Sequence, residues 1–248
     1  MTSQAIDGRI ARMRSFSRMA GNLAVWKVAL GIAVVGLMAS SARANLLTNG
    51  SFETPLAPLG GFMNFTSGST AITGWTVTGP EVSVVNGSYT SFGINFPAED
   101  GNQWLDLTGD LSNAVEGVEQ TVATSPGATY ELSYFIGNVA NPGGPYGTTS
   151  RVNVLVDGAL ILTSTNSLGA GTGRQTWEQF STSFVAPSSS TVIEFLNEDP
   201  STDNTNGLDN VVLTQGTTSS VPETSTFIMF ALAFCAFGAF RFRNAIAH

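Results

Sequence analysis

The sequence predicts an all-β fold, an antiparallel β-sandwich of jelly-roll type, and three observations lead to that prediction. Several segments of the central part alternate apolar and polar residues with a period of two, as half-buried strands do. The pair Asp157-Gly158, typical of tight hairpin turns, separates two apolar runs. Stretches rich in Gly, Pro, Ser, Thr and Asn lie between the segments, and the central part keeps no helical period. A chain of short strands buries its apolar faces by packing two sheets together.

Seven segments between residues 103 and 214 carry the strand pattern. In residues 129–137 every second residue from Tyr130 onward is apolar, and in residues 151–156 the three valines share one face. Residues 138–150 and 199–207 are rich in turn-forming residues, which predicts loops. In chain order, the predicted strands are 103–108, 129–137, 151–156, 159–162, 180–185, 191–196 and 208–214.

The first 44 residues predict a secretory signal segment. Five basic residues precede an uncharged apolar stretch at 28–39. Ala42-Arg43-Ala44 then places small residues at both critical positions of a cleavage site. We therefore expect the mature protein to begin at Asn45 and its folded domain to span 45–214. A retained amino-terminal membrane anchor is the alternative.

The central part of the chain is strongly acidic. Residues 45–220 hold two basic residues, Arg151 and Arg174, and sixteen acidic ones, a formal charge of −14. A surface of that sign repels phosphate backbones, which excludes nucleic acid as a partner. Most of these carboxylates have no basic side chain to pair with, so divalent metal ions are their natural counter-charge.

Cysteine and histidine are confined to the end of the chain. Cys235 and His248 are the single residues of their types. The central part therefore has no disulfide, no Ser-His or Cys-His nucleophile pair, and no zinc site of the usual nitrogen and sulfur type. We predict no catalytic residues, and any chemistry in the domain would be carboxylate chemistry.

The last 28 residues have three parts. Val221, Pro222 and Glu223 open them, an uncharged apolar run follows at 227–240, and two arginines come next. At ~1.5 Å per residue, a helix of this run reaches ~21 Å, which is less than the ~30 Å hydrocarbon core of a membrane. We therefore expect a transient insertion into the membrane followed by cleavage near the motif. A plain short carboxyl-terminal membrane helix is the alternative.

This order of motif, apolar run and basic end resembles the tails of PEP-CTERM proteins of Gram-negative bacteria, which the membrane enzyme exosortase recognises. Thr224 departs from the family pattern, in which a second proline is usual. The resemblance implies export across the inner membrane, processing by an exosortase-type enzyme, and a place at the cell surface or in the extracellular matrix. Residues 215–220 are a short flexible linker that precedes this tail.

Five motifs of the central part occur in the order found in bacterial choice-of-anchor C and DUF642-type domains. These domains look like galactose-binding-like jelly rolls and are related in shape to carbohydrate-binding modules. The resemblance implies the fold strongly and a ligand only weakly, since binding sites arise independently on such folds. The motifs are NLLTNGSFE at 45–53, ITGW at 72–75, DGNQWLDL at 100–107, PGATY at 126–130 and LDNVVL at 208–213.

Two carboxylates are candidate calcium ligands. If Val211 and Leu213 point inward, the period of two places Asp209 inward as well, where a charge needs compensation. Glu53 lies in the first motif, and the first and last strands of such jelly rolls are often neighbours. Glu53 and Asp209 are therefore predicted to form a structural calcium site, as related carbohydrate-binding modules commonly carry. In the alternative, Asp209 accepts hydrogen bonds from backbone amides in a turn or faces solvent through a bulge.

Aromatic residues in loops are candidate glycan contacts, because the C–H groups of a sugar ring stack on an exposed aromatic face. Tyr89, Phe92 and Phe96 lie in a stretch without a clear strand pattern, and Tyr146 lies in the loop at 138–150. Tyr89, Phe92 and Tyr146 are the predicted carbohydrate-binding residues. The same residues could instead bury one another under the rim of the sandwich.

Two further groups of residues are interpreted structurally. Trp75 and Trp104 lie inside the shared motifs and are predicted to pack in the core. The segment 197–206 contains Glu198, Asp199 and Asp203 but lacks the spacing of an EF-hand, so we predict a solvated polar loop.

Three functions are compatible with these features. The first is an exported, non-enzymatic surface or matrix protein that is processed by exosortase and associates with extracellular polysaccharide. The second is a carbohydrate-binding module with a defined glycan specificity. The third is a glycosidase or lyase that uses two carboxylates, which in glycosidases lie ~5 to 9.5 Å apart.

Overall fold

The computed structural model describes residues 43–110, 115–170 and 172–216. Within these ranges the chain forms thirteen strands and no helix, which confirms the all-β prediction. The strands are β1 (Phe62–Thr66), β2 (Thr76–Thr78), β3 (Glu81–Asn86), β4 (Thr90–Ser91), β5 (Ile94–Asn95), β6 (Gln103–Asp106), β7 (Gly117–Ala123), β8 (Thr129–Asn138), β9 (Ser150–Val156), β10 (Ala159–Asn166), β11 (Thr176–Val185), β12 (Ser190–Asn197) and β13 (Gly207–Gln215).

Two antiparallel sheets form the sandwich. The six-stranded sheet has the order β1-β3-β6-β13-β8-β11, and the five-stranded sheet has the order β10-β9-β12-β7-β2. From β6 onward, every connection crosses from one sheet to the other except the β9–β10 hairpin. This crossing pattern is that of a jelly roll. A separate small hairpin, β4–β5, belongs to neither sheet.

All seven predicted strands are present, with differences at their ends. The last strand before Asp157 and the first after Gly158 pair as predicted, and the two turn residues have positive φ angles of 49° and 77°, as a type I′ turn requires. The strand predicted at 159–162 extends to Asn166. Six strands, β1 to β5 and β7, were not predicted from the sequence.

The missed strands carry only short or interrupted patterns. All six residues of β3 are buried, and its polar–apolar alternation extends only from Glu81 to Val84. Val85 then packs in a second apolar cluster on the other face, so apolar residues occur on both faces and the period of two is interrupted. β4 and β5 contain two residues each, which is too short for any pattern.

The core lies between the two sheets. Trp75 is 1% exposed, and its ring centroid lies 5.3 Å from that of Phe52 and 6.2 Å from that of Phe195. The alternate residues of β8 from Tyr130 to Ile136 are buried, as predicted. Trp104 is also buried, at 1% exposure, but belongs to a second apolar cluster described below.

The two ends of the domain are neighbours. Asn45 donates a hydrogen bond from Nδ2 to the carbonyl oxygen of Val211 over 2.8 Å, and its Oδ1 accepts one from the amide of Leu213 over 2.9 Å. The amide of Val211 donates to the carbonyl oxygen of Gly50 over 2.9 Å. A Cβ at residue 50 would overlap the Val211 carbonyl, so only glycine permits this approach.

The predicted signal segment and sorting tail lie outside the described residues, apart from Arg43 and Ala44. The sorting motif Val221, Pro222 and Glu223 and most of the linker also lie outside them. In the part of the chain that the structure describes, no helix has the length and apolar character to cross a membrane.

Candidate functional site

The candidate site lies on the face of the six-stranded sheet that points away from the five-stranded sheet, which we call the outer face. In β3 the side chains of Val82 and Val84 belong to the core, so the alternate residues Ser83 and Val85 lie on the outer face. In β6 the same alternation places Leu105 in the core and leaves its neighbours on the outer face. The period of two therefore brings apolar and polar side chains together outside the main core.

A small hairpin covers part of this face. The two-residue strands β4 and β5 pair through Thr90 with Asn95 and Ser91 with Ile94. The amide of Phe96 donates a hydrogen bond to the carbonyl oxygen of Tyr89 over 3.1 Å, which closes the base of the hairpin. Phe92 lies at its tip with a φ of 48° and is 76% exposed. The sequence prediction of an unpatterned stretch is consistent with this short element.

Six aromatic rings and several polar side chains line one pocket with a volume of about 240 Å³, which we call the aromatic pocket. The rings belong to Phe62, Tyr89, Phe92, Phe96, Trp104 and Tyr146. The polar side chains belong to Ser83, Ser91, Asp106, Asp110, Asn204 and Thr205. The structure thus brings together Tyr89, Phe92 and Tyr146, the three residues predicted as glycan contacts, whose role as contacts stays a prediction.

Neighbouring rings of the aromatic pocket contact one another. The centroid of Phe96 lies 5.6 Å from that of Tyr89 and 5.2 Å from that of Tyr146. Trp104 stacks on Phe96 at 6.2 Å, and Phe92 meets Tyr146 edge-on at 6.0 Å. Edge and offset contacts of this kind each add about 0.5–1.5 kcal/mol beyond area burial. The buried rings therefore form a stable wall, while Phe92 stays accessible at the mouth.

Tyr146 reaches the aromatic pocket from the loop between β8 and β9. It forms an antiparallel bridge with Asp203, and its hydroxyl is hydrogen-bonded to Ser91 of the small hairpin. Burial raises the pKa of the Tyr146 hydroxyl. The loop, the hairpin and the segment around Asp203 are thus joined at one residue, through the backbone and the hydroxyl of Tyr146.

Asp106 is the buried carboxylate of the aromatic pocket and is 8% exposed. Its Oδ1 accepts hydrogen bonds from the amide of Thr108 over 3.1 Å, from the hydroxyl of Thr108 over 2.9 Å and from the amide of Asn206 over 3.1 Å. Burial, with a smaller contribution from the charge of Asp110, raises its pKa to about 6. Sequence reasoning missed Asp106, although it stands two residues after Trp104 and so lies on the same face of its strand.

The prediction of a solvated polar loop at 197–206 is wrong for much of that segment. Asp203 is 2% exposed, and Asn197 and Asn206 are buried as well. Asp199 accepts a hydrogen bond from the amide of Arg151 over 2.6 Å. Burial raises the pKa of Asp199 to about 9 and that of Asp203 to about 7. The segment packs against the β8–β9 loop, a contact that composition alone does not indicate.

Asp209 does not point into the core, because a bulge between Asp209 and Val212 interrupts the period of two. Leu208 pairs with the core residue Ile136, whereas Asp209 pairs with Phe135, which lies on the opposite face of the sheet. Asp209 Oδ2 accepts hydrogen bonds from the amides of Glu99 and Asp100 over 2.9 and 3.0 Å. This is the alternative arrangement, in which the carboxylate accepts backbone amides. Burial raises its pKa to about 8.

Glu53 contacts the same loop. Its Oε1 accepts hydrogen bonds from the amides of Asn102 and Gln103 over 2.7 and 2.9 Å. A Cβ on Gly101 would lie 2.5 Å from this oxygen, and the φ of Gly101 is +70°, so glycine is required there on both grounds. Glu53 and Asp209 therefore share one partner segment, the loop 99–103.

The amides of this loop supply the positive partial charge that a calcium ion was predicted to supply. Acceptor oxygens that already face N–H donors fit a cation poorly. Among residues 43–110, 115–170 and 172–216, no three His, Cys, Asp or Glu side chains are grouped so that they could bind a metal ion. The calcium site at Glu53 and Asp209 stays a prediction.

The sandwich coincides with a known sequence family. The family described as "Protein of unknown function (DUF642)" matches residues 45–214. The chain belongs to the DUF642 family. The match covers every described strand except the last residue of β13.

Other proteins resemble parts of this DUF642 chain. Halomucin of Haloquadratum walsbyi is 35% identical over 108 residues, which are 42% of this chain and 1% of Halomucin. A crystal structure of a Stig cyclase from Fischerella sp. TAU is 19% identical, with a TM-score of 0.50, over 71% of this chain and 98% of the cyclase. A family 16 carbohydrate-binding module is 22% identical, with a TM-score of 0.39, over 68% of this chain and 99% of the module. At 19% identity, the likeness to the cyclase shows the fold alone.

Proposed function

We propose that the DUF642 domain binds a glycan in the aromatic pocket. The proposal is based on one observation: in a pocket of about 240 Å³, an exposed aromatic ring lies beside several hydrogen-bonding side chains. Phe92 at the mouth offers a face on which sugar C–H groups can stack. Asp110, Asn204 and Ser91 offer donors and acceptors for hydroxyl groups. A pyranose has an apolar C–H face that stacks on a ring and hydroxyl groups at its edge that need polar partners, and the aromatic pocket offers both.

We further propose that the chain is exported and processed by an exosortase-type enzyme, and that it associates with extracellular polysaccharide. Two features of the sequence support this proposal. The first is the predicted signal segment at 1–44, and the second is the order of Val221-Pro222-Glu223, apolar run and arginines in the tail. If so, the mature chain at the cell surface lacks residues 1–44 and 227–248, which intact-mass measurement of surface-released protein would show. Mature protein that retains the tail would contradict the processing step.

We infer that the domain is non-enzymatic. Residues 45–220 contain no histidine or cysteine, so the usual nucleophile and base pairs are missing from their sequence. The alternative, a carboxylate-dependent glycosidase or lyase, would use Asp106 and Asp110, which both line the aromatic pocket. Burial raises the pKa of Asp106 to about 6, a value suited to a general acid. Release of reducing ends from a bound glycan, lost in Asp106→Asn, would favour this alternative.

A glycan-array screen of the purified full-length chain tests the binding proposal. We expect binding to a defined class of glycans, weakened about tenfold in Phe92→Ala, which corresponds to about 1.4 kcal/mol. Leu160→Ala is the matched control, because Leu160 is also an exposed apolar residue, at 58%, but lies in β10 of the other sheet. An empty array, or equal affinity of both variants for every glycan, would overturn the proposal.

A further inference from the structure

The charge of the aromatic pocket is entirely negative among the described residues. Its two ionisable carboxyl groups are Asp106 and Asp110, and no basic side chain lines it. The four residues after Asp110 are uncharged in the sequence, and Arg151 and Arg174 are the sole basic residues between 45 and 220. Neither arginine lines the aromatic pocket. A ligand that brings its own positive charge would therefore meet attraction there without competition from an internal ion pair.

One oxygen of Asp106 is left for a ligand. All three hydrogen bonds that Asp106 accepts reach Oδ1. Asp209 is different, because its two oxygens share three backbone amides. Asp106 is more than nine-tenths buried and lines the aromatic pocket, so Oδ2 lies in a site of reduced dielectric and accepts no hydrogen bond from the residues that the structure describes. A charged N–H donor adds the attraction between two opposite charges to its hydrogen bond with such a carboxylate, which a neutral hydroxyl donor does not.

The aromatic rings favour the same kind of ligand. The face of an aromatic ring carries negative partial charge and attracts an ammonium group within about 6 Å, by about 0.5–1 kcal/mol at exposed sites and about 2 kcal/mol in desolvated ones. Trp104, Phe96 and Tyr146 line the aromatic pocket on the same side of the sheet as Asp106. The excess of sixteen acidic over two basic residues between 45 and 220 also raises the local concentration of cations.

We propose that the aromatic pocket takes a sugar unit that carries a protonated amine, a glucosamine-type residue of a glycan, with the ammonium group on Asp106 and the C–H face of the ring on Phe92. This inference rests on the proposed glycan-binding function and names the ligand class of the same site. The volume of about 240 Å³ is below the ~300–1,000 Å³ of sites for drug-sized ligands, so a single sugar unit enters and the rest of the glycan lies outside.

Isothermal titration calorimetry of the full-length chain at pH 7 tests the inference with two ligands that differ in the amine alone. The first is a glucosamine hexamer, and the second is the fully N-acetylated hexamer. We expect the glucosamine hexamer to bind at least tenfold more tightly. Equal affinity for both would overturn the amine inference and leave glycan binding intact. Absence of binding by the glucosamine hexamer would also overturn it, while the glycan array separately decides the proposed function.

Two variants separate a built site from general attraction to an acidic surface. Asp106→Asn and Glu131→Gln each remove one negative charge, but Glu131 is exposed on β8 and does not line the aromatic pocket. We expect Asp106→Asn to lose the tenfold preference and Glu131→Gln to keep it. Equal weakening in both variants would overturn the inference. If Asp106→Asn folds poorly, Asp110→Asn at the exposed mouth of the same pocket is the second variant. We expect it to reduce the preference for the glucosamine hexamer by less than tenfold.

The pH dependence gives an independent readout. Protonation of Asp106 as the pH falls through about 6 removes its charge, so affinity for the glucosamine hexamer decreases although the ligand itself keeps its charge. The other ionisable groups near Asp106 are Asp110, Asp199, Asp203 and Tyr146. Affinity that stays constant as the pH falls below about 6, where the amines of the ligand are already protonated, would contradict the assigned role of Asp106.

Discussion

The two faces of the six-stranded sheet differ in what covers them. Toward the five-stranded sheet, β3 and β6 present residues such as Val84 and Leu105, which are fully buried in the main core. On the outer face β6 presents Trp104 and Asp106, and the small hairpin and loops cover these side chains incompletely. The inner face is closed by a whole sheet and supports stability. The outer face keeps a pocket, a buried carboxylate and an exposed ring, which are the properties of a binding site.

The largest expected difference between the faces is in stability. Trp75 is fully buried between the sheets, so we expect Trp75→Ala to lower the free energy of unfolding by about 3–5 kcal/mol. Phe92 on the outer face is mostly exposed, so Phe92→Ala should change it by no more than about 0.5 kcal/mol. Urea denaturation of both variants measures the difference. Comparable losses would show that the small hairpin supports the fold as the core does.

The predicted calcium site gives the second test, because Glu53 and Asp209 both contact the loop that leads into β6. An ion present at 100 times its Kd stabilises the folded state by about 2.7 kcal/mol. If calcium binds, EDTA lowers the melting temperature of the calcium-loaded chain, and Asp209→Asn removes the difference. A melting curve that EDTA leaves unchanged would show that backbone amides alone satisfy these carboxylates.

The carboxylates outside the main core predict that stability depends on pH. Burial raises the pKa values of Asp106, Asp203, Asp209 and Asp199 to about 6, 7, 8 and 9. Each is above its unfolded value, so between about pH 4 and pH 9 the folded state binds more protons than the unfolded state, and stability increases as the pH falls. We expect the melting temperature without ligand to rise by several degrees from pH 8 to pH 5, at roughly 2–4 °C per kcal/mol.

A variant tests the cause of that dependence. Asp199→Asn removes the carboxyl group with the most strongly raised pKa and should flatten the curve, whereas Glu131→Gln, on an exposed part of β8, should leave its slope unchanged. The same slope in both variants would indicate that general charge repulsion, and not burial of these particular groups, sets the pH dependence.

The smallest expected effect concerns the loop before β6. Gly101 and Gly127 have similar positive φ angles, +70° and +76°, so alanine strains the backbone equally at both, by about 1–2 kcal/mol. At Gly101 the added Cβ also meets Glu53, whereas at Gly127 it meets nothing within 4 Å. We therefore expect Gly101→Ala to cost about 1 kcal/mol more in thermal or urea unfolding. Equal losses would show that the Glu53 contact with the loop contributes nothing.

Local patterns determined the fold class and much of its strand content. The alternation in β8 and β9, the hairpin at Asp157-Gly158 and the five ordered motifs each depend on residues close in sequence. Side-chain period and turn conformation are local properties, so these elements could be predicted. The same reasoning failed for β3, because Val85 packs on the outer face and interrupts the alternation after four residues.

The amino-acid sequence is sufficient to predict an acidic, all-β domain without histidine or cysteine and to name Tyr89, Phe92 and Tyr146 as candidate contacts. Three other features are visible only in the folded chain: these rings meet at Asp106, a bulge turns Asp209 away from the core, and Asp203 is buried. These three outcomes depend on contacts between different segments of the chain, such as Tyr146 with Asp203 and Glu99 with Asp209, where no local period specifies a partner. Packing between sheets and loops, which sets burial and therefore charge state, is a property of the whole fold.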